Sequence, residues 1–173
     1  MLSAGDIAVP ADGMGAISDQ LADRAVAAGA TVRTSVPVDG LDRSGDGVTL
    51  ATPDGEVHAD ACVVATDPRT AGDLTGVATP DAARGCVTQY FSLPEHVDLA
   101  TGKRLVLNTV DARPNQVAPL SSVAPEYAPE GEQLLSATFL GTPSDDDRTL
   151  AAGVREALES WYPARRFVEL DLL

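Results

Sequence analysis

Residues 59–68 read ADACVVATDP. From Ala61 to Ala65 every side chain is apolar, and a run without alternation is expected where both faces of a strand are covered, as at the centre of an α/β sheet. Asp67-Pro68 ends the run, because proline lacks an amide donor and biases the residue before it away from the helical region. A stretch of weak helical character follows from Arg69 to Arg84. Upstream, residues 9–38 read VPADGMGAISDQLADRAVAAGATVRTSVPV. Within it Ile17, Leu21, Ala25 and Ala28 recur every three or four residues, which predicts an amphipathic helix over 16–28 with Asp19 near its start and Gly29 as its stop.

Between these two stretches lie short segments, TVRT, VPVDGLD, VTLAT and EVHAD, separated by Ser44-Gly45-Asp46-Gly47 and Pro53-Asp54-Gly55. Such turn sequences between alternating segments predict a small antiparallel meander. The second half changes character. CVTQYFSL, RLVLNTV, QVAPLSSV and QLLSATFL read as four strands of an antiparallel or mixed sheet, separated by loops rich in proline and acid. Ser144-Asp145-Asp146-Asp147 then opens a helix whose apolar face is Leu150, Val154, Leu158 and Trp161, stopped by Pro163. FVELDLL forms a last strand. The expected fold class is α+β, a mixed α/β chain.

At 173 residues and 44% hydrophobic, the chain can bury one core, or one and a smaller second. The formal net charge of -14, from 26 acidic against 12 basic residues, repels phosphates and anionic lipid, so nucleic acid and membrane surfaces are not expected as partners. No run of eighteen apolar residues occurs, and MLSAGDIAVPADG carries neither a basic region nor an apolar one, so a soluble, cytoplasmic protein is expected. Lys103 is the sole lysine and aspartate dominates the acids, a bias that suggests a salt-adapted (halophilic) source or, alternatively, a GC-rich genome. Cys62 and Cys86 read as buried free thiols, and neither they nor His58 and His96 show the spacing of a metal site.

Other candidate sites each carry a plainer reading. Gly13 and Gly15 before a helix suggest a phosphate cradle, but their spacing is not Gly-x-Gly-x-x-Gly and Asp12 adds repulsion, so a tight turn needing positive φ is favoured. Asp145 to Asp147 could ligate a hard cation, or simply favour a helix start. Tyr90, Phe91, Tyr127 and Phe139 could line an apolar pocket, or belong to the core. No Gly-x-Ser-x-Gly or Ser-His-Asp set is present.

Taken together, residues 9–68 resemble the central segment of the flavin-dependent amine oxidase superfamily, especially its phytoene desaturase-like and protoporphyrinogen oxidase-like branch. That segment runs Gly-Gly-Met-Gly, helix, strand, a valine that meets the cofactor, a hairpin with Asp-Gly, and an apolar strand ending in Ala-Thr-x-Pro; here Asp12 replaces the first glycine. The resemblance implies a partial, Rossmann-like FAD-binding domain over 1–83 and a substrate-binding domain over 84–173. It implies that the backbone of Val38 holds the adenine of FAD, and that Ala65, Thr66 and Asp67 pass close to the flavin. No catalytic residue is assigned.

Three departures shape the functional expectation. The Gly-x-Gly-x-x-Gly fingerprint that grips the pyrophosphate in the family is absent from the sequence, as is its C-terminal Gly-Asp segment, which reads as a fragment. The strand where many amine-oxidising members carry a lysine is here Gly85-Cys86-Val87-Thr88-Gln89-Tyr90-Phe91. That favours oxidation or desaturation of an apolar substrate, a polyene or a porphyrinogen-like ring, by hydride transfer to flavin. Expected partners are that small molecule and either the missing N-terminal half or a second copy of the chain. Two other readings stay open: a non-catalytic remnant or interaction module without flavin, and a small-ligand-binding α+β protein.

Overall fold

The computed structural model describes residues 8–45, 47–80, 82–97, 99–110 and 113–173. The described residues form a mixed α/β chain with three α-helices and two antiparallel sheets, divided into two compact units. One unit is Ala22–Ala83; the other combines the chain up to Leu21 with Arg84–Leu173. Helix α1, Gly15–Ala27, follows the expected periodicity but buries none of its residues, and Ile17 and Leu21 are exposed.

The Ala22–Ala83 unit is built on a meander of β1 (Gly40–Ser44), β2 (Gly47–Thr52) and β3 (Gly55–Ala59). Its register pairs Leu41 with Leu50 and Leu50 with Val57. Gly47 is required by packing as well as by the turn: a Cβ there would lie 2.7 Å from the carbonyl oxygen of Ala59. Helix α2, Pro68–Thr75, neighbours β1. It stops at Gly76 in the left-handed conformation, well short of the Arg84 expected.

Two expectations for this unit fail together. Thr31–Thr34 and Val36–Val38 belong to no sheet, and the apolar run Ala61–Ala65 is neither a strand nor buried: Val63 is 90% exposed. A residue pattern reports that a strand wants cover on both faces; it does not supply the neighbouring strands. Among the described residues every strand pair is antiparallel, so no Rossmann-like parallel sheet forms. Cys62, inside the uncovered run, is consequently an exposed thiol, and Cys86, at the first position of its strand, is exposed as well.

The second unit centres on a five-stranded sheet. β4 (Cys86–Pro94) and β7 (Glu132–Leu140) pair along their whole length, β6 (Gln116–Pro119) and the two-residue β5 (Val106–Leu107) extend one side, and β8 (Asp171–Leu172) flanks β4. Alternation sends Phe91 and Leu93 of β4, and Leu135, Ala137 and Phe139 of β7, to one face. Helix α3, Asp147–Trp161, buries Leu150, Val154 and Leu158 in the same core, which Phe167 and Leu170 complete. Each such side chain contributes about 1.5–3 kcal/mol of burial. Arg155 fixes the descending chain by donating to the carbonyls of Phe167 and Leu170, both at 2.9 Å.

Three expected strands are shortened, and of FVELDLL only Asp171–Leu172 is a strand. RLVLNTV retains only Val106–Leu107, and QVAPLSSV turns at Pro119 into a 3-10 turn, Leu120–Ser122, followed by a second at Pro125–Tyr127. The Ser121 hydroxyl there accepts from the Leu134 amide at 3.0 Å, so a side chain replaces the next rung of the ladder. No helix among the described residues is long and apolar enough to cross a membrane.

Candidate functional site

Val38 lies two residues before β1 and is 38% exposed. The ladder begins next to it: the Asp39 amide donates to the Ala51 carbonyl at 2.9 Å. Among the described residues the Val38 amide and carbonyl have no hydrogen-bond partner. An unpaired, accessible backbone edge of one donor and one acceptor is what a heterocycle with the complementary pair can occupy. The adenine of FAD is such a ring, and to this extent the residues present fit that cofactor.

Ala65, Thr66 and Asp67 form the exit from the uncovered apolar run. Asp67 serves locally as the N-cap of α2, its carboxylate accepting from the Thr70 amide at 3.1 Å, with Pro68 in the first helical turn. The hydrogen bonds from Thr70 hold its carboxyl below the usual aspartate range. The Thr66 hydroxyl donates to the Asp67 carbonyl at 3.3 Å. α2 lies beside β1, so the turn and Val38 belong to one compact unit, but no hydrogen bond joins them among the described residues. A solvent-open cleft of about 600 Å³ lies against α2, lined by Arg69, Gly72, Asp73, Val77, Thr79 and Pro80.

The glycine turn is closed on itself. Gly13 has φ 85, its amide donates to Pro10 at 3.2 Å, and Ala16 and Ile17 donate back to Gly13 and Met14 at 3.2 Å. The Gly13 amide is thus spent within the turn, and Gly13-Met14-Gly15 lacks the Gly-x-Gly-x-x-Gly spacing that grips a pyrophosphate. The other candidates resolve into structure. Phe91 and Phe139 are core, Tyr90 is 47% exposed, and the Tyr127 hydroxyl donates to the Pro10 carbonyl at 2.7 Å. Asp146 caps α3 through the Thr149 amide at 2.8 Å, and His58 Nδ1 meets the Thr49 hydroxyl at 2.9 Å on the exposed meander. Two features escaped the sequence: the Arg155 clamp, which looks like any helix-surface arginine, and the left-handed backbone of Ser35, φ 58.

Comparison with known proteins follows the same direction. The family model of flavin containing amine oxidoreductases matches residues 1–171. No curated protein sequence matches the chain. Among solved structures, a candidate protoporphyrinogen oxidase from Exiguobacterium sp. 255-15 is similar with a TM-score of 0.69 at 14% identity, over 94% of this chain and 38% of that one. A Pyrococcus furiosus protein is similar with a TM-score of 0.72 at 16% identity, over 94% of this chain and 41% of that one. At these identities the likeness is one of fold. The chain spans about two fifths of the length of either structure.

Proposed function

This chain belongs to the flavin containing amine oxidoreductase family, and we propose on that basis that it forms part of an FAD-dependent oxidoreductase. Residues 1–83 contribute to the cofactor-binding domain and 84–173 to the substrate-binding domain. The observation that carries this reading is the family match along residues 1–171; the unpaired backbone edge at Val38 supports it independently. The Val38 amide and carbonyl would hold the adenine, and the Ala65–Asp67 turn would lie towards the ring system. When bound, the flavin supplies a hydride acceptor for an apolar organic substrate. The remaining cofactor contacts, including those to the pyrophosphate, would come from polypeptide outside this sequence.

The uncovered run Ala61–Ala65 is consistent with that arrangement, since strand-like apolar residues left in water are satisfied when a neighbouring sheet covers them. The test is a titration of the purified chain with FAD in high salt, read by flavin fluorescence and by quenching of Trp161. It is run with and without the N-terminal half of a full-length relative, expressed separately. Tight, stoichiometric binding only with the added half is expected. A folded chain that binds FAD in neither condition overturns the flavin reading and favours a non-catalytic interaction module.

A further inference from the structure

We propose that Ser35 is a positioning residue for an adenine ring, its left-handed backbone forming a rigid elbow that holds the Val38 edge open. The inference rests on the flavin reading above. Ser35 has φ 58, a conformation that non-glycine residues seldom adopt and that costs about 1–2 kcal/mol. Its hydroxyl has no hydrogen-bond partner among the described residues, so the side chain does nothing locally to offset that cost. Such an outlier persists where the surroundings impose it.

The surroundings are identifiable on both sides. Before the elbow, the Arg33 guanidinium pairs with Asp54 at 2.6 Å, tying the chain to the turn between β2 and β3. After it, the Asp39 amide bonds Ala51 of β2 at 2.9 Å. Residues 34–38 are therefore a short span pinned at both ends to one meander. Within the span, Pro37 fixes its own φ, restricts Val36 to extended conformations, and has no amide to pair. With the reversal at Ser35 and the stiffness at Pro37, the Val38 amide and carbonyl are kept out of the ladder that begins one residue later.

The chemistry selects the ligand. An amide donor beside a carbonyl acceptor complements adenine, whose N1 accepts and whose 6-amino group donates. Hypoxanthine presents the reverse, a protonated N1 and a carbonyl at C6. The elbow is thus a device for adenine recognition made wholly from backbone, which side-chain motifs do not reveal.

The test uses the 173-residue chain, 15N-labelled in high salt, titrated with AMP and separately with IMP while the Val38 and Asp39 amide resonances are followed. AMP is expected to shift Val38 and IMP to leave it in place. Ser35→Gly accepts the left-handed conformation and should keep AMP affinity within about twofold. Ser35→Thr retains the hydroxyl but adds a β-branch that disfavours it, and should weaken AMP about tenfold as the competent conformer is depopulated. Circular dichroism verifies that both variants are folded. The opposite order, weak Ser35→Gly and intact Ser35→Thr, would assign the hydroxyl and overturn the elbow. Equal affinities for all three proteins overturn it too, while leaving adenine binding in place. A Val38 amide indifferent to AMP in the unsubstituted chain overturns the proposal outright; the FAD titration with the complementing half decides the flavin reading separately.

Discussion

Val63 offers a sharp discrimination between a self-sufficient chain and one part of a larger flavoprotein. In this chain it is 90% exposed, so Val63→Asp should change the stability of the chain by no more than about 0.5 kcal/mol, the usual range for surface positions. If Ala61–Ala65 becomes a covered strand on joining the complementing half, the same substitution forfeits about 1.5–3 kcal/mol of valine burial. It also drives a carboxylate into an apolar layer at a cost of several kcal/mol. A conservative sum of about 4 kcal/mol weakens association about a thousandfold, at about 1.4 kcal/mol per decade. The assay pairs thermal melts of the isolated chain with titration of the N-terminal half of a relative, read by flavin fluorescence. Val168→Asp, at a position 75% exposed in the other unit, is the control and should leave both readings unchanged. A Val63→Asp chain that associates within about twofold of the original, or that loses more than about 1 kcal/mol on its own, refutes the reasoning.

Other outcomes follow from the described contacts. Leu158, fully buried on α3, should cost about 2–5 kcal/mol when replaced by alanine, seen as a lower urea midpoint at unchanged slope. Asp67 and Asp146 have carboxyls held below their ordinary value by cap hydrogen bonds from Thr70 and Thr149. Their contribution is therefore complete above the ordinary carboxyl value of 3.8 and is lost as pH falls below it; helicity followed down an acid titration should drop less for the Asp67→Asn, Asp146→Asn double variant than for the original chain. With a net charge of -14, added sodium chloride should raise the melting temperature by screening self-repulsion, and a flat or falling curve would count against a salt-adapted surface.

The sequence is most informative where the element and its cover lie in the same chain. β4 and β7 alternate, and the residues they send inward meet Leu150, Val154 and Leu158 of a helix whose face can be read directly. The meander is equally legible, because its turns are local chemistry in Gly45, Gly47, Asp54 and Gly55. Ala61–Ala65 and helix α1 depart from expectation for the complementary reason: periodicity states which face seeks burial, and cannot state whether anything reaches it. Of the candidate site, the Asp67-Pro68 turn is visible as a break after the apolar run, and Val38 becomes visible through family resemblance. Ser35 leaves no trace, since serine is ordinary in sequence and unusual here only in its φ.

The order of strands in the larger sheet, β5-β6-β7-β4-β8, constrains how the protein emerges during synthesis. β4 is the first of the five to leave the ribosome, yet its neighbours on either side, β7 and β8, are the last two. Until residue 140 has been made, Phe91 and Leu93 lack their full partner strand, and until α3 follows they have no helix above them. Growth from the β5 edge can proceed through β6 to β7 in chain order, but β4, the earliest strand made, stays unpaired until β7 is complete. Nascent chains stalled between residues 94 and 132 would carry a finished meander beside an unshielded strand, and that is the window in which a chaperone holding apolar segments would have most to do.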